Sequence, residues 1–283
     1  MKIRKKGKQL FAVLLSIAMI ITTMPFGVVT ANAVTTQFAG GSGTEADPYL
    51  IETKDHLNNV RNHLDAHYKL IADIVFTDSD FALGGKYYTS GRGWSPIGFT
   101  EYESFTGTFD GDGHFIEGLK LTRYDATRYA GLFGWCDGTI KNLGIINSSI
   151  TITANSSYEY VYAGSVAGYA GSESTIINCR SNSTITARTL DSESYSRAYA
   201  GGIVGMAEGT ATISFCYNMG DISSNAPGHA SSAFGGGIVG GLSDGGNVDD
   251  SQVVNCYNTG SVVGDGHLGG IVGHMWQGTI EKC

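Results

Sequence analysis

Ala130-Gly131-Leu132-Phe133-Gly134, Gly164-Ser165-Val166-Ala167-Gly168, Gly201-Gly202-Ile203-Val204-Gly205, Gly236-Gly237-Ile238-Val239-Gly240 and Gly269-Gly270-Ile271-Val272-Gly273 are five copies of one glycine-framed phrase. Their closing glycines lie 34, 37, 35 and 33 residues apart. Recurrence at a period of tens of residues marks a stacked or radial repeat architecture, in which each unit buries its apolar face only against its neighbours. Helical repeats share this period, but the composition opposes them. The chain has 41 glycines in 283 residues, about twice the ~7% that is usual. Each glycine costs a helix interior roughly 1 kcal/mol. Between them run Thr, Ile, Val, Ser, Tyr and Asn in short stretches, which are strand and turn residues. No Trp-Asp signature recurs to suggest a propeller.

A second phrase recurs in step with the first. It reads Thr139-Ile140-Lys141-Asn142-Leu143, Thr175-Ile176-Ile177-Asn178-Cys179, Thr212-Ile213-Ser214-Phe215-Cys216, Gln252-Val253-Val254-Asn255-Cys256 and Thr279-Ile280-Glu281-Lys282-Cys283. Two copies continue as Tyr217-Asn218-Met219-Gly220 and Tyr257-Asn258-Thr259-Gly260. Each repeat therefore holds at least two short strands joined by glycine turns too short for a crossover helix. One coil per repeat, with every strand pairing in parallel to its counterpart in the next coil, closes this pattern: an all-β, right-handed parallel β-helix (β-solenoid). Equivalent residues then stack about 4.8 Å apart. Leu132, Val166, Ile203, Ile238 and Ile271 form one expected inward column, and Ile140, Ile176, Ile213, Val253 and Ile280 another.

These phrases resemble the GLUG repeat, found in secreted and surface proteins of bacteria, including N-terminal regions of immunoglobulin-A metalloproteases and large adhesin-like proteins. The resemblance covers roughly residues 128–283. The stretches Gly43-Thr44-Glu45-Ala46-Asp47-Pro48-Tyr49-Leu50-Ile51, Trp94-Ser95-Pro96-Ile97-Gly98 and Phe105-Thr106-Gly107-Thr108-Phe109-Asp110-Gly111-Asp112-Gly113-His114 are similar to the lead-in of such proteins. Departures are Leu143 in place of cysteine, Ser165 and Ala167 in the second copy, and five extra residues near Gly245–Asp250. The resemblance implies an extracellular location and a solenoid architecture.

The N-terminus reads as a secretion signal. Lys2, Arg4, Lys5, Lys6 and Lys8 precede an apolar run from Leu10 to Ile21, and Ala31-Asn32-Ala33 offers a cleavage site that leaves Val34 as the mature start. The run is short of the ~20 residues that span a bilayer, so no membrane insertion is expected once the signal is removed. Cleavage takes away five of the 18 Lys and Arg residues and none of the 26 Asp and Glu. A mature balance of −13 disfavours nucleic acid and anionic lipid as partners. The expected organisation is a signal at 1–33, an N-terminal cap and first coils at 34–125, and solenoid repeats at 126–283. In the cap, Thr53 to Leu64 reads as the one good helix, with Leu57, Val60 and Leu64 on one face covering the end of the stack. Residues 68–76 and 105–121 read as strands of the first coils. The last repeat stops where earlier copies continue, giving the expectation of an open C-terminal end in a fragment of a longer protein.

Candidate chemistry is sparse. Cys179, Cys216, Cys256 and Cys283 share one repeat position with Leu143, which suggests a buried apolar column of free thiols; bridges between coils are the alternative. Cys136 lies off that column. His56, His63 and His67 lack the His-Glu-x-x-His arrangement of a zinc protease. Asp110-Gly111-Asp112-Gly113 reads as a tight turn, since Leu121 stands where a calcium loop needs its bidentate glutamate. No catalytic constellation emerges, and no metal or cofactor is expected. The alternating Tyr158, Tyr160 and Tyr162, with Tyr195, Arg197 and Tyr199 one coil later and Phe234 and His267 beyond, form an aromatic stripe. Arg197 suggests that this face meets solvent. The stripe is a candidate platform for a host glycan or protein or a cell-wall component; a cross-strand ladder that only stabilises the sheet is the competing explanation. The expected function is a non-enzymatic extracellular stalk or adhesive module. The alternatives are the N-terminal accessory region of a secreted protease and a polysaccharide-acting β-helix enzyme, for which a groove of clustered carboxylates would be the sign.

Overall fold

The computed structural model describes residues 37–283 apart from 125–127, 156–158, 191–195, 227–232 and 244–250. The expected signal at 1–33 and the extra residues near Gly245–Asp250 lie outside the described residues. Within them the chain is a parallel β-helix. One coil shows the plan: Thr175–Ile177, Arg180–Ser181, Thr184–Thr189, Arg197–Gly201 and Val204–Glu208 are five successive strands. Each joins a different sheet, here called sheets 1 to 5 in that order, of 8, 6, 5, 5 and 5 strands. Neighbouring strands within every sheet come from successive coils and pair in parallel. The sequence phrases identify sheets 1, 2 and 5; the Ser/Thr/Ala strands of sheet 3 and the aromatic strands of sheet 4 complete the coil.

The expected columns are present. Ile140, Ile176, Ile213, Val253 and Ile280 lie in register, and the first four are completely buried. Val166, Ile203 and Ile238 each bond their backbone N–H to the counterpart carbonyl one coil on, at 2.9–3.0 Å, and are completely buried like Leu132. Each buried isoleucine contributes roughly 2–3 kcal/mol by leaving water, which a single coil could not gather alone. In the last coil Ile280 is 40% exposed.

The glycine phrase is explained by backbone approach. It forms the tight corner between sheets 4 and 5. A Cβ on Gly205 would stand 2.5 Å from the Gly168 carbonyl oxygen and 2.7 Å from the Ala163 nitrogen, which no side chain tolerates. A second corner, between sheets 1 and 2, is left-handed in every repeat: Asn142, Asn178, Phe215, Asn255 and Lys282 have φ between 53° and 56°. Asparagine accepts this conformation better than most residues. It also forms a ladder, with Asn178 Nδ2 donating to Asn142 Oδ1 at 2.8 Å and Asn142 Nδ2 to Asp110 Oδ1 at 2.9 Å.

The cap departs from the expected single helix. Helix α1 spans only Lys54–Asn59, followed by a 3-10 turn at Val60–Asn62, and a second short helix, α2, spans Asp78–Phe81. Thr53 caps α1 by accepting from the His56 N–H at 3.2 Å. Tightening to 3-10 lets the chain turn at once into the strand His67–Leu70. The Tyr68 hydroxyl takes up the His63 carbonyl at 2.5 Å. Leu57 and Val60 are fully buried in the core and cover the end of the stack as expected.

Candidate functional site

Sheets 4 and 5 turn toward each other across the glycine corner, so side chains leaving the coil from both sheets meet. Sheet 4 supplies Tyr129, Tyr162, Tyr199, Phe234 and His267, one per coil and in register. Their rings stack with centroids 5.4, 4.9, 4.7 and 5.5 Å apart and planes within 20°. Sheet 5 supplies Trp135, Tyr169, Met206, Gly241 and His274, with Trp135 and Tyr169 stacked at 4.0 Å. The two ladders lock edge to face: Tyr162 meets Tyr169 at 5.3 Å and 89°. Trp276 closes the far end, 3.9 Å from His274 and 5.5 Å from Phe234.

This seam is a second hydrophobic cluster outside the coil interior. Tyr199 is 2% exposed and Phe234 3%, which corrects the expectation that the stripe faces solvent. Tyr162 and Tyr199 have rings above and below them, so stacking along the coil axis occupies the surfaces that would grip a ligand. Tyr160 and Arg197 sit half-buried beside the seam, the Arg197 guanidinium 5.1 Å over the Tyr160 ring and 5.9 Å from the Trp276 ring. Tyr158 and Tyr195 lie outside the described residues. The sequence reading missed Tyr129 as the start of the ladder. Copy one is a residue shorter between the paired positions Ala130 and Phe133 than copy two between Ala163 and Ala167, so counting back from Gly134 lands on Arg128.

The seam is chemically quiet. Burial pushes the Tyr129 phenol up to about 12 and raises Tyr162 and Tyr199 as well, with Arg197 opposing the shift at Tyr199. These hydroxyls stay neutral at any physiological pH.

The cysteines behave likewise. Cys179, Cys216 and Cys256 are buried, Cys283 is exposed, and all are free thiols, as is the buried Cys136. Coil follows coil through the column: the Cys216 N–H meets Cys256 Sγ at 3.4 Å, and the Cys256 N–H meets Cys283 Sγ at 3.3 Å. Burial pushes the Cys136 thiol up to about 12 and Cys216 well above its usual value, so these sulfurs are poor nucleophiles.

Carboxylates do gather in one place, which the sequence did not reveal. A cleft of about 370 Å³ between α1 and the segment 73–87 is lined by Glu52, Asp55, Asp73, Asp80, Lys54 and Lys86. Most of these charges are committed. Lys54 Nζ lies 2.6 Å from Asp80, and Lys86 Nζ lies 2.6 Å from Asp55. Asp73 receives the Phe115 N–H at 3.1 Å and pairs with His114 at 3.0 Å. The Lys86 hydrogen bond, aided by that of Tyr87, holds Asp55 below the usual carboxylate range; burial works to raise Asp80, but Lys54 and Thr77 outweigh it. A general acid needs the opposite shift. Asp110-Gly111-Asp112-Gly113 is a turn in which Asp110 Oδ1 accepts the Asp112 N–H at 2.9 Å. His56, His63 and His67 do not converge; His56 Nδ1 accepts the Glu52 N–H and His63 pairs with Gln37. No metal-binding group of three or more His, Cys, Asp or Glu exists among the described residues.

No family model matches the chain. Among curated proteins, it is 40% identical over 119 residues to one described as a "putative Gly-rich membrane protein" of Evansella cellulosilytica; the match covers 41% of this chain and 13% of that protein. It is 39% identical over 116 residues to the halomucin of Haloquadratum walsbyi, covering 39% of this chain and 1% of that protein. The chain thus corresponds to a small part of each. Among solved structures, the crystal structure of a "putative immunoglobulin A1 protease" from Bacteroides ovatus matches with a TM-score of 0.56 at 23% identity, over 87% of this chain and 77% of that one. At that identity the likeness is one of fold. No helix among the described residues is long and apolar enough to cross a membrane.

Proposed function

We propose that the chain is a non-enzymatic extracellular β-solenoid, a stalk or adhesive module of a surface protein, exported by the signal at 1–33 and cleaved beside Val34. The observation that carries this reading is the fate of the recurring residues. The glycines, asparagines, cysteines and seam aromatics are consumed in holding coil to coil, and Asp55, Asp73 and Asp80 of the N-terminal cleft are engaged in ion pairs and hydrogen bonds. The names of the two curated relatives, "putative Gly-rich membrane protein" and "halomucin", support a surface setting, as does the resemblance to the GLUG repeat. The test is to express the tagged full chain in a bacterial host, identify its mature N-terminus, and assay the surface fraction for protease accessibility and for adhesion to host cells and cell walls. Export with cleavage near Val34 and adhesion above that of an unrelated solenoid is the expected result; a chain retained uncleaved inside the cell contradicts it.

The fold likeness to the immunoglobulin A1 protease-like structure favours a second reading, the accessory region of a secreted protease. The two part on whether sequence encoded beyond Cys283 carries a His-Glu-x-x-His helix or more repeats.

A further inference from the structure

Two coils depart from asparagine at the corner between sheets 1 and 2, the last with the exposed Lys282 and an inner one with a phenylalanine. Where Asn178 and Asn255 stand in the flanking coils, the inner coil places Phe215, in the left-handed region at φ 53°. A bulky side chain adopts that backbone only against steric resistance. Phe215 is also 56% exposed, so neither packing nor the asparagine ladder explains it. Such an outlier directs attention to function.

Its surroundings point the same way. Cys216 and Asn218 turn fully inward, so Phe215, Tyr217 and Met219 leave the coil on the outside. Met219 is 50% exposed. Tyr257 of the next coil lies on Tyr217, centroids 5.0 Å apart and planes within 3°, and is 52% exposed, unlike the closed rings of the seam. Phe215, Tyr217, Met219 and Tyr257 thus share the outer face of this corner as an uncharged, largely aromatic ridge, edged by the amides of Asn178 and Asn255, by Arg180 in register with Tyr217, and by Lys282 one coil beyond Asn255.

We infer that this ridge binds an uncharged, linear glycan running along the solenoid axis. The inference rests on the extracellular adhesive reading above and names its ligand class. Three observations select this occupant. Phe215, Met219 and Tyr257 are each about half open and Tyr217 is half-buried; at ~150–250 Å² per large side chain the ridge opens at most roughly 400 Å², well short of the ~800 Å² per partner of a stable protein interface, so a second copy is not the occupant. The four side chains carry no charge, the Arg180 side chain beside Tyr217 leans over Gly144 on the side away from the ridge, and the mature chain is strongly acidic, which repels a polyanion. Tyrosine rings and asparagine amides together offer what a sugar needs, an apolar surface beside paired donors and acceptors. Tyr217 and Tyr257 repeat at the coil spacing of about 4.8 Å, close to the length of one extended pyranose unit, so successive sugars meet one ring each.

The test is affinity electrophoresis of the full chain through gels containing hydroxyethylcellulose, laminarin, galactomannan or polygalacturonate, with the adhesion assay run in parallel. The wild type is expected to be retarded in at least one neutral gel and not by polygalacturonate. Phe215→Asn and Tyr257→Ala should each cut the apparent affinity at least tenfold, while Tyr160→Ala, beside the seam, changes it less than twofold. Phe215→Asn restores the residue found in the flanking coils, so loss of binding by that variant is not loss of fold; circular dichroism checks both variants. Absence of retardation in every neutral gel, retardation only by polygalacturonate, or undiminished binding by both variants overturns the inference. Adhesion that survives in both variants leaves the adhesive reading standing and removes the ridge; a wild type that adheres to nothing removes both.

Discussion

The seam and the ridge are built from the same materials. Both stack tyrosines from successive coils about 5 Å apart, Tyr162 on Tyr199 in one and Tyr217 on Tyr257 in the other. Tyr199 is 2% exposed and Tyr257 52%. The difference lies in what stands opposite. Sheet 5 turns toward sheet 4 and brings Tyr169, Met206 and Trp276 onto the first stack, whereas among the described residues no such facing ladder covers the second. A recurring aromatic column in a solenoid therefore carries no functional meaning until the neighbouring sheet is placed.

The contrast breaks most readily at Tyr199. Tyr199→Ala removes a ring that packs against neighbours on three sides and should cost about 3–4 kcal/mol, read as a lowered urea midpoint. Tyr257→Ala should cost less than about 1 kcal/mol, and equal losses would erase the distinction. Alkaline titration should act next. The phenol of Tyr129 is raised to about 12, and those of Tyr162 and Tyr199 are also raised. The folded state thus holds protons that the unfolded state releases near pH 10. Stability is fully present below pH 10 and falls as pH climbs toward 12; thermal melts that stay level across that window would speak against a closed seam. A smaller effect of opposite sign belongs to the ridge. Phe215→Asn relieves the left-handed strain and restores the corner amide, raising stability by roughly 0.5–1 kcal/mol while weakening glycan retention. A change of similar size but destabilising is expected for Tyr160→Ala, which forfeits the contact with Arg197 and should cost about 0.5–1 kcal/mol in the same urea series.

The repeat phrases carried the fold because each reports a backbone or burial constraint that recurs once per coil. The isoleucine columns and the parallel register could be read directly from Thr175-Ile176-Ile177-Asn178-Cys179 and its copies. The seam was half legible. Its tyrosines alternate visibly, but the partner ladder is set by a corner angle that no local pattern encodes, and the shorter first copy displaced Tyr129. Sheet 3 was harder to see because strands such as Thr184–Thr189 carry little apolar contrast. The ridge left one signal, the phenylalanine in Thr212-Ile213-Ser214-Phe215-Cys216 where its neighbours hold asparagine. Its meaning depended on knowing that the position is left-handed and open. The carboxylate cleft left none, since Asp55, Asp73 and Asp80 meet only when the cap folds over the first coils.

The most direct test of the central claim, that the seam aromatics hold coils together, is a urea-unfolding double-mutant cycle between Tyr199 and Phe234, whose rings stack at 4.7 Å. A coupling of about 1 kcal/mol is predicted for this pair. Strictly additive losses, with no coupling beyond error, would contradict the account.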